Sequence, residues 1–469
     1  MLILSVFWHF KNLLFSLKGQ GGFVKKYLFL VFFLAFSSEV FGQICPDFQE
    51  VRPDVYVAKD VSGWYVNIGS NSTNQLAVAR CFYQRYPERD HYDFLWIDQT
   101  SWNSQQPHTY SVAGRSTGIG PVRFDISWNF GSRGRLSAIS WDKRGFADPI
   151  GRPNLGSADN QAWNTLNHEF SHHACCYYDY NRTDASDLFP SASVGVSMSN
   201  GHLSPWLGTI SDLKTEPVVE GLMEDLPYVV DASGKAIYQV PRGERLRKAS
   251  AFTAYTLGFI LPTEVRGKFP VIKSTVWDSQ TETVRGEVKR WADVDELISL
   301  QWGRRWPEAG FSQRHFRAAL ILLVDMHDSD TLKVGIDKWV NQFIESTNKV
   351  SEKWQEAMSG RSTLNDPRFK IPRLRTDKPQ FAVGELLTVR LAGADPNMDA
   401  ELFVFDGINQ YVLPLQTKAD GTWEFTASMG PDQVGQWSAI VYFGLDRETG
   451  GLTHTTSNLL YFEVVVQKK

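Results

Sequence analysis

No stretch of this chain reaches eighteen consecutive apolar residues, the length a helix needs to cross a bilayer, so stable membrane insertion is not expected. Charge of either sign is not in excess: 48 Lys and Arg stand against 52 Asp and Glu, which argues against a nucleic-acid partner or an anionic membrane surface. Cysteine is scarce, with four in 469 residues. A composition of 42% hydrophobic and 21% charged residues excludes a disordered or fibrous chain. What is plentiful is aromatic side chain, 16 Trp and 30 Phe, as large β-rich cores require. At this length two or three domains are expected.

Near the N-terminus Lys25 and Lys26 precede an apolar run from Tyr27 to Phe36, followed by small residues up to Gly42. This is the pattern of a secretory signal peptide spanning residues 1–42, and Val24 offers an alternative start. Its removal leaves 44 basic against 51 acidic residues, a net charge near −7. The expected location is extracellular or periplasmic, where an even number of cysteines suggests disulfides. Cys175 and Cys176 are adjacent and would strain a mutual bond, so Cys45 and Cys81 are expected to reach them. Cys45, close to the mature N-terminus, also suggests a thiolate latch on a metal.

The most informative segment is His168-Glu169-Phe170-Ser171-His172. On a helix, residues i and i+4 share a face and lie roughly 6 Å apart along the axis, so both imidazoles reach one ion. Glu169 is rotated by about 100° and addresses a water as general base, which is the pattern of a hydrolytic zinc centre. Trp163, Leu166, Phe170 and Ala174 recur at helical spacing, and Ser157 or Asp159 would cap the start. Catalytic zinc usually takes three protein ligands. His173 points about 100° away from the pair, and a ligand at Cys175 would stretch the set over roughly 10 Å of axis. The third ligand therefore follows a break in the helix or comes from another element.

The segment from His168 through His172, His173, Cys175, Cys176 and Tyr178 to Asp179 and Asn181 resembles the zinc-binding segment of the calcium-activated chloride channel regulator family, secreted self-cleaving proteins with a metzincin-like peptidase domain. The resemblance covers about fifteen residues. It implies zinc held by His168, His172 and Asp179, with Glu169 as the base. Cys176 stands where that family has a glycine, and Tyr178 where metzincins usually have a third His. His202, Glu216, Glu220 and Glu224 are the alternatives for the third ligand, Met198 and Met223 for a methionine turn, and Tyr177, Tyr178 and Tyr180 for stabilising an oxyanion.

Further along, helical spacing is read over 76–86, 244–259, 284–300, 312–326 and 331–358, and strands over 93–97, 124–130 and 136–141. The last of these, Leu136–Trp141, is the expected substrate-binding strand. Residues 110–120 read as a glycine turn region and 359–372 as a linker. Beyond it, short strands over 386–391, 401–405, 410–415, 422–427, 437–443 and 459–466 imply an immunoglobulin-like β-sandwich. The expected architecture is α+β: a zincin-like domain over 43–235, a helical subdomain over 236–362 and the sandwich over 363–469. The expected function is a secreted zinc endopeptidase acting on proteins or peptides, with an extracellular glycan or protein as a further partner of the sandwich. The rival is an inactive zincin-like protein for adhesion or glycan binding.

Overall fold

The computed structural model describes residues 45–66, 73–101, 108–118, 123–146, 149, 161–171, 173, 228–239, 246, 248–249, 251–265, 269–278, 283–300, 304–444 and 455–466. The chain forms two compact units, 1–45 and 46–469, and every element named below belongs to the second. In chain order these begin with β1 (Asp47–Arg52), β2 (Val55–Asp60), α1 (Thr73–Arg85), β3 (Phe94–Gln99), β4 (His108–Ser111), β5 (Ala113–Gly114), β6 (Phe124–Asp125), β7 (Ala138–Lys143) and α2 (Gln161–Ser171). There follow β8 (Tyr228–Val230), β9 (Lys235–Gln239), α3 (Ala251–Leu257), β10 (Phe269–Asp278), β11 (Thr283–Ala292), α4 (Val294–Leu300), β12 (His315–Phe316) and β13 (Ala318–Asp325). Then come α5 (Ser329–Val334), α6 (Ile336–Thr347), α7 (Val350–Ala357) and β14 (Thr363–Leu364). The last eight strands are β15 (Arg373–Thr376), β16 (Gln380–Ala382), β17 (Leu386–Ala392), β18 (Asp399–Phe405), β19 (Gln410–Gln416), β20 (Trp423–Ser428), β21 (Gly435–Tyr442) and β22 (Leu460–Val465). The fold is mixed α+β, with most of its regular structure in sheets.

A six-stranded sheet in the order β1-β2-β13-β3-β7-β4 organises the first part. Its four inner strands are parallel to one another, and β1 and β4 close the two sides as antiparallel strands. Leu322 of β13 sits opposite Val57 of β2 and Asp98 of β3. All eight residues of β13 and all six of β3 are buried. Strands covered on both faces read as continuous apolar runs, and such a run carries no period by which strand can be told from buried helix. That is why the helical reading of 312–326 fails: Ala318–Asp325 is the central strand of this sheet. The reading of 284–300 fails in part, because β11 pairs with β10 and β9 and only Val294–Leu300 is helical. Among the described residues of 244–259 the helix spans Ala251–Leu257.

One core lies between this sheet and the helices α2, α3, α6 and α7. Phe94, Trp96, Leu320 and Leu322 meet Trp163, Leu166, Phe170, Trp339, Phe343 and Trp354 there. Residues 331–358 are helical as expected, divided into α5, α6 and α7, with Asp328 accepting from the Thr331 N–H as the cap of the first. Of the turn region expected over 110–120, Tyr110 and Ser111 belong to β4 and Ala113–Gly114 forms β5. Gly118 has φ +72°, and a Cβ there would lie 2.2 Å from the Arg304 carbonyl oxygen, beside the bridge between Thr117 and Trp306. Of the strand expected over 124–130, only Phe124–Asp125 is extended, and Ser127–Phe130 forms a 3₁₀ turn.

The C-terminal part packs a three-stranded sheet, β15-β17-β20, against a five-stranded one, β16-β22-β21-β18-β19. Leu374, Leu387, Val389 and Leu391 from one meet Leu402, Val441, Leu460 and Phe462 from the other. All six strands expected there are present, and β15 and β16 precede them. The segment read as a linker is built in: β14 pairs with β12 in parallel, and Ser362, Thr363, Leu364 and Asp366 are buried.

This second part is fastened to the first by buried polar contacts. Arg135 forms an ion pair with Asp93, Nε to Oδ1 2.8 Å, and donates to Asn458 Oδ1 at 3.3 Å. Asn458 in turn accepts from the backbone N–H of Leu374. Arg123 donates to the Gln436 carbonyl, and Trp306 stacks on Phe405 at 4.8 Å while its indole N–H reaches Gln410.

Candidate functional site

Helix α2 carries the histidine motif, and its sequence explains its seat. Trp163, Leu166 and Phe170 lie about one turn apart and enter the core together, Phe170 stacking on Phe94 with ring centroids 4.5 Å apart. The other side of the helix is covered as well. Asn164, Asn167, His168, Glu169 and Ser171 are all buried, and the Ser171 hydroxyl donates back to the Asn167 carbonyl at 2.7 Å. His168 and Glu169 are each 6% exposed, so the first imidazole and the adjacent carboxylate are both withdrawn from bulk water.

The α-helical run ends at Ser171. His173 lies in a turn, its backbone N–H and its ring Nδ1 both 3.2 Å or less from the Phe170 carbonyl oxygen. The His173 ring sits against Phe94 and Phe316, at 5.0 and 5.4 Å between centroids. Burial among these rings pushes its pKa down to about 4, with Arg305 and Arg115 acting in the same sense and the Phe170 carbonyl opposing. His173 is thus a neutral member of the aromatic core.

Glu169 faces the sheet. Thr109 of β4 has its Oγ1 2.6 Å from Glu169 Oε2, 2.9 Å from the Glu169 carbonyl oxygen and 2.7 Å from Ser140 Oγ of β7. Thr109 and Ser140 face each other across the antiparallel β4/β7 pair. The adjacent Tyr110 points to the opposite face, where its ring meets Phe130 edge-on at 6.2 Å. Neither Thr109 nor Ser140 was among the expected site residues. Nothing in the sequence marks them, because helix α2 packing on the β4/β7 pair brings Thr109 to a carboxylate sixty residues away.

The strand expected to bind substrate requires correction. Residues 136–141 contribute to β7, which is paired on both sides, with β3 in parallel and β4 antiparallel. Its backbone groups are therefore already engaged and cannot add a further strand. The outermost strand beside α2, among the described residues, is β4.

Of the other expected site residues, His172, Asp179, His202, Glu216, Glu220 and Glu224 lie outside the described residues, as do Met198, Met223, Tyr177, Tyr178, Tyr180, Ser157 and Asp159. Among the described residues no group of three or more His, Cys, Asp or Glu is arranged to hold a metal ion. The described part of the expected donor set fits a zinc centre in kind. It offers a buried imidazole, with a neighbouring buried carboxylate that accepts from the Thr109 hydroxyl. Cys45 and Cys81 are both disulfide-bonded, so Cys45 supplies no thiolate for a latch. Cys175 and Cys176 lie outside the described residues. Among the described residues no helix is long and apolar enough to cross a membrane.

No family model matches this chain, and no curated protein does. Among solved structures, a CARDB domain of a Pyrococcus furiosus protein, in complex with di-metal ions, is similar over 21% of this chain and 94% of its own length, at 12% identity and a TM-score of 0.15. An endo-β-1,4-mannanase from Thermotoga petrophila is similar over 32% of each chain at 10% identity and a TM-score of 0.17. An engineered protein matches 32% of this chain and 33% of its own, at 10% identity and a TM-score of 0.16. Likenesses this slight assign neither fold nor function.

Proposed function

We propose that this chain is a secreted zinc-dependent endopeptidase, with a zincin-like region built on the six-stranded sheet and an immunoglobulin-like sandwich behind it. The observation that carries the reading is the seat of Glu169. The carboxylate of the HExxH helix lies under the outermost strand β4, tied to it through Thr109 at 2.6 Å. An extended peptide adding to β4 would run past this carboxylate, with backbone hydrogen bonds supplying affinity that is independent of sequence.

His168 and His172 would hold the zinc, with Asp179 as the third ligand. Bound there, zinc supplies Lewis acidity that lowers the pKa of a water and polarises a carbonyl. Glu169 would take a proton from a water as it adds to the peptide carbonyl, and would pass it to the amine as the C–N bond breaks. The end of the α-helical run at Ser171, with His173 in a turn, supports a third ligand that follows the second histidine. The disulfide linkage of Cys45 and Cys81 supports an oxidising compartment.

Glu169→Gln is expected to keep stoichiometric zinc and to lose casein cleavage by roughly 100- to 10,000-fold, the usual contribution of a general base. Cleavage by the variant at the wild-type rate would remove Glu169 from the mechanism. The rival reading, an inactive binding protein, draws support from exposed apolar side chains on the sandwich, among them Tyr411, Val412, Leu413 and Phe425. It is favoured if the purified wild-type chain holds zinc but cleaves no peptide.

A further inference from the structure

We infer that Thr109 is a positioning residue for Glu169, fed by Ser140, and that it couples strand addition at β4 to the aim of the base. The inference rests on the assignment of Glu169 as general base. Its geometry is independent of that assignment.

The direction of the hydrogen bonds follows from proton counting. A carboxylate only accepts, so the 2.6 Å contact to Glu169 Oε2 requires Thr109 to donate its single hydroxyl proton there. The 2.7 Å contact to Ser140 must then run the other way, with Ser140 donating to Thr109. The Glu169 carbonyl oxygen, at 2.9 Å, is the poorer competitor for the Thr109 proton, since a charged acceptor makes the shorter and stronger bond. All three residues are buried, so water does not substitute readily for either hydroxyl. One carboxylate oxygen is thus fixed toward the sheet.

The anchoring strand matters as much as the bond. Thr109 lies on β4, the strand to which an extended substrate would pair, and Ser140 lies opposite it on β7. A peptide that orders β4 therefore orders Thr109, and through it Glu169. Base and substrate are set by the same strand.

The test compares Thr109→Val, which keeps the shape and removes the hydroxyl, with Thr109→Ser, which keeps the hydroxyl, both in the full chain. In crystal structures of the two variants and the wild type, the Glu169 carboxylate is expected to leave the β4 side in the Val variant alone. In casein hydrolysis the Val variant is expected to lose kcat roughly 10- to 100-fold, the worth of a hydrogen bond to a charged group, with KM and zinc content unchanged. Thr109→Ser should restore most of the rate. A Glu169 carboxylate that keeps its wild-type position in Thr109→Val overturns the inference, whether or not the protein is active. A wild type that binds zinc yet hydrolyses nothing overturns the assignment of Glu169 as base, and the crystallographic comparison still decides the role of Thr109.

Discussion

The six-stranded sheet and the C-terminal sandwich bury their strands in different ways. β13 is covered on both faces along its whole length, whereas β17 alternates between core and surface and β19 is exposed at six of its seven positions. A strand covered twice is apolar throughout and intolerant of change, while one at the margin of a sandwich has a face on which substitution costs little. The polar groups follow the same division. The sheet region holds buried pairs such as Arg135 with Asp93 and Thr109 with Glu169, and in the sandwich the ion pairs of Arg390 with Asp377 and Glu424 lie near the surface.

The comparison is broken most severely at the junction. Arg135→Ala leaves Asp93 buried without its cation and removes a bond to Asn458 in the sandwich, so a loss of about 3–5 kcal/mol is expected, measurable by urea unfolding. A variant that unfolds with wild-type stability would show that the buried pair carries none of it. Next in size is Leu322→Ala at the centre of β13, with an expected loss of about 2–5 kcal/mol in the same assay. Leu413→Ser on the exposed β19 should change stability by less than about 0.5 kcal/mol. Equal costs at Leu322 and Leu413 would refute the distinction between the two regions.

A smaller, pH-dependent effect sharpens it further. Burial, with Arg317, Arg135, Arg89 and Arg373 nearby, holds the pKa of His91 down to about 4, below the value near 6.5 expected when unfolded. The unfolded chain therefore binds the proton first. The stability contributed by neutral His91 is present above about pH 6.5 and is lost as pH falls toward about 4. His91→Gln should flatten that decline, as followed by urea midpoints between pH 4 and 7, and an unchanged slope would show that His91 does not carry it.

The same division explains what could be read in advance. The sandwich strands were legible because one-sided burial writes an alternating pattern into the sequence, as at Leu387, Val389 and Leu391. The short β15 and β16 were not, since three or four residues hold too little pattern. β13 was misread as helix because Ala318–Val324 is apolar at every position, and periodicity vanishes when both faces are buried. At the site, helix α2 and the core seat of Phe170 were visible from spacing, while the burial of Asn164, Asn167, His168 and Glu169 on its other side was not. Thr109 and Ser140 were not, because long-range packing of helix α2 on the β4/β7 pair and not a local motif brings them to the carboxylate.

The most direct test of a zinc centre on α2 is the metal content of the full chain purified without chelator, in wild type and in His168→Ala. The account predicts one zinc per wild-type chain, lost in His168→Ala while the fold is kept. A wild-type protein that is folded and holds no zinc would contradict it.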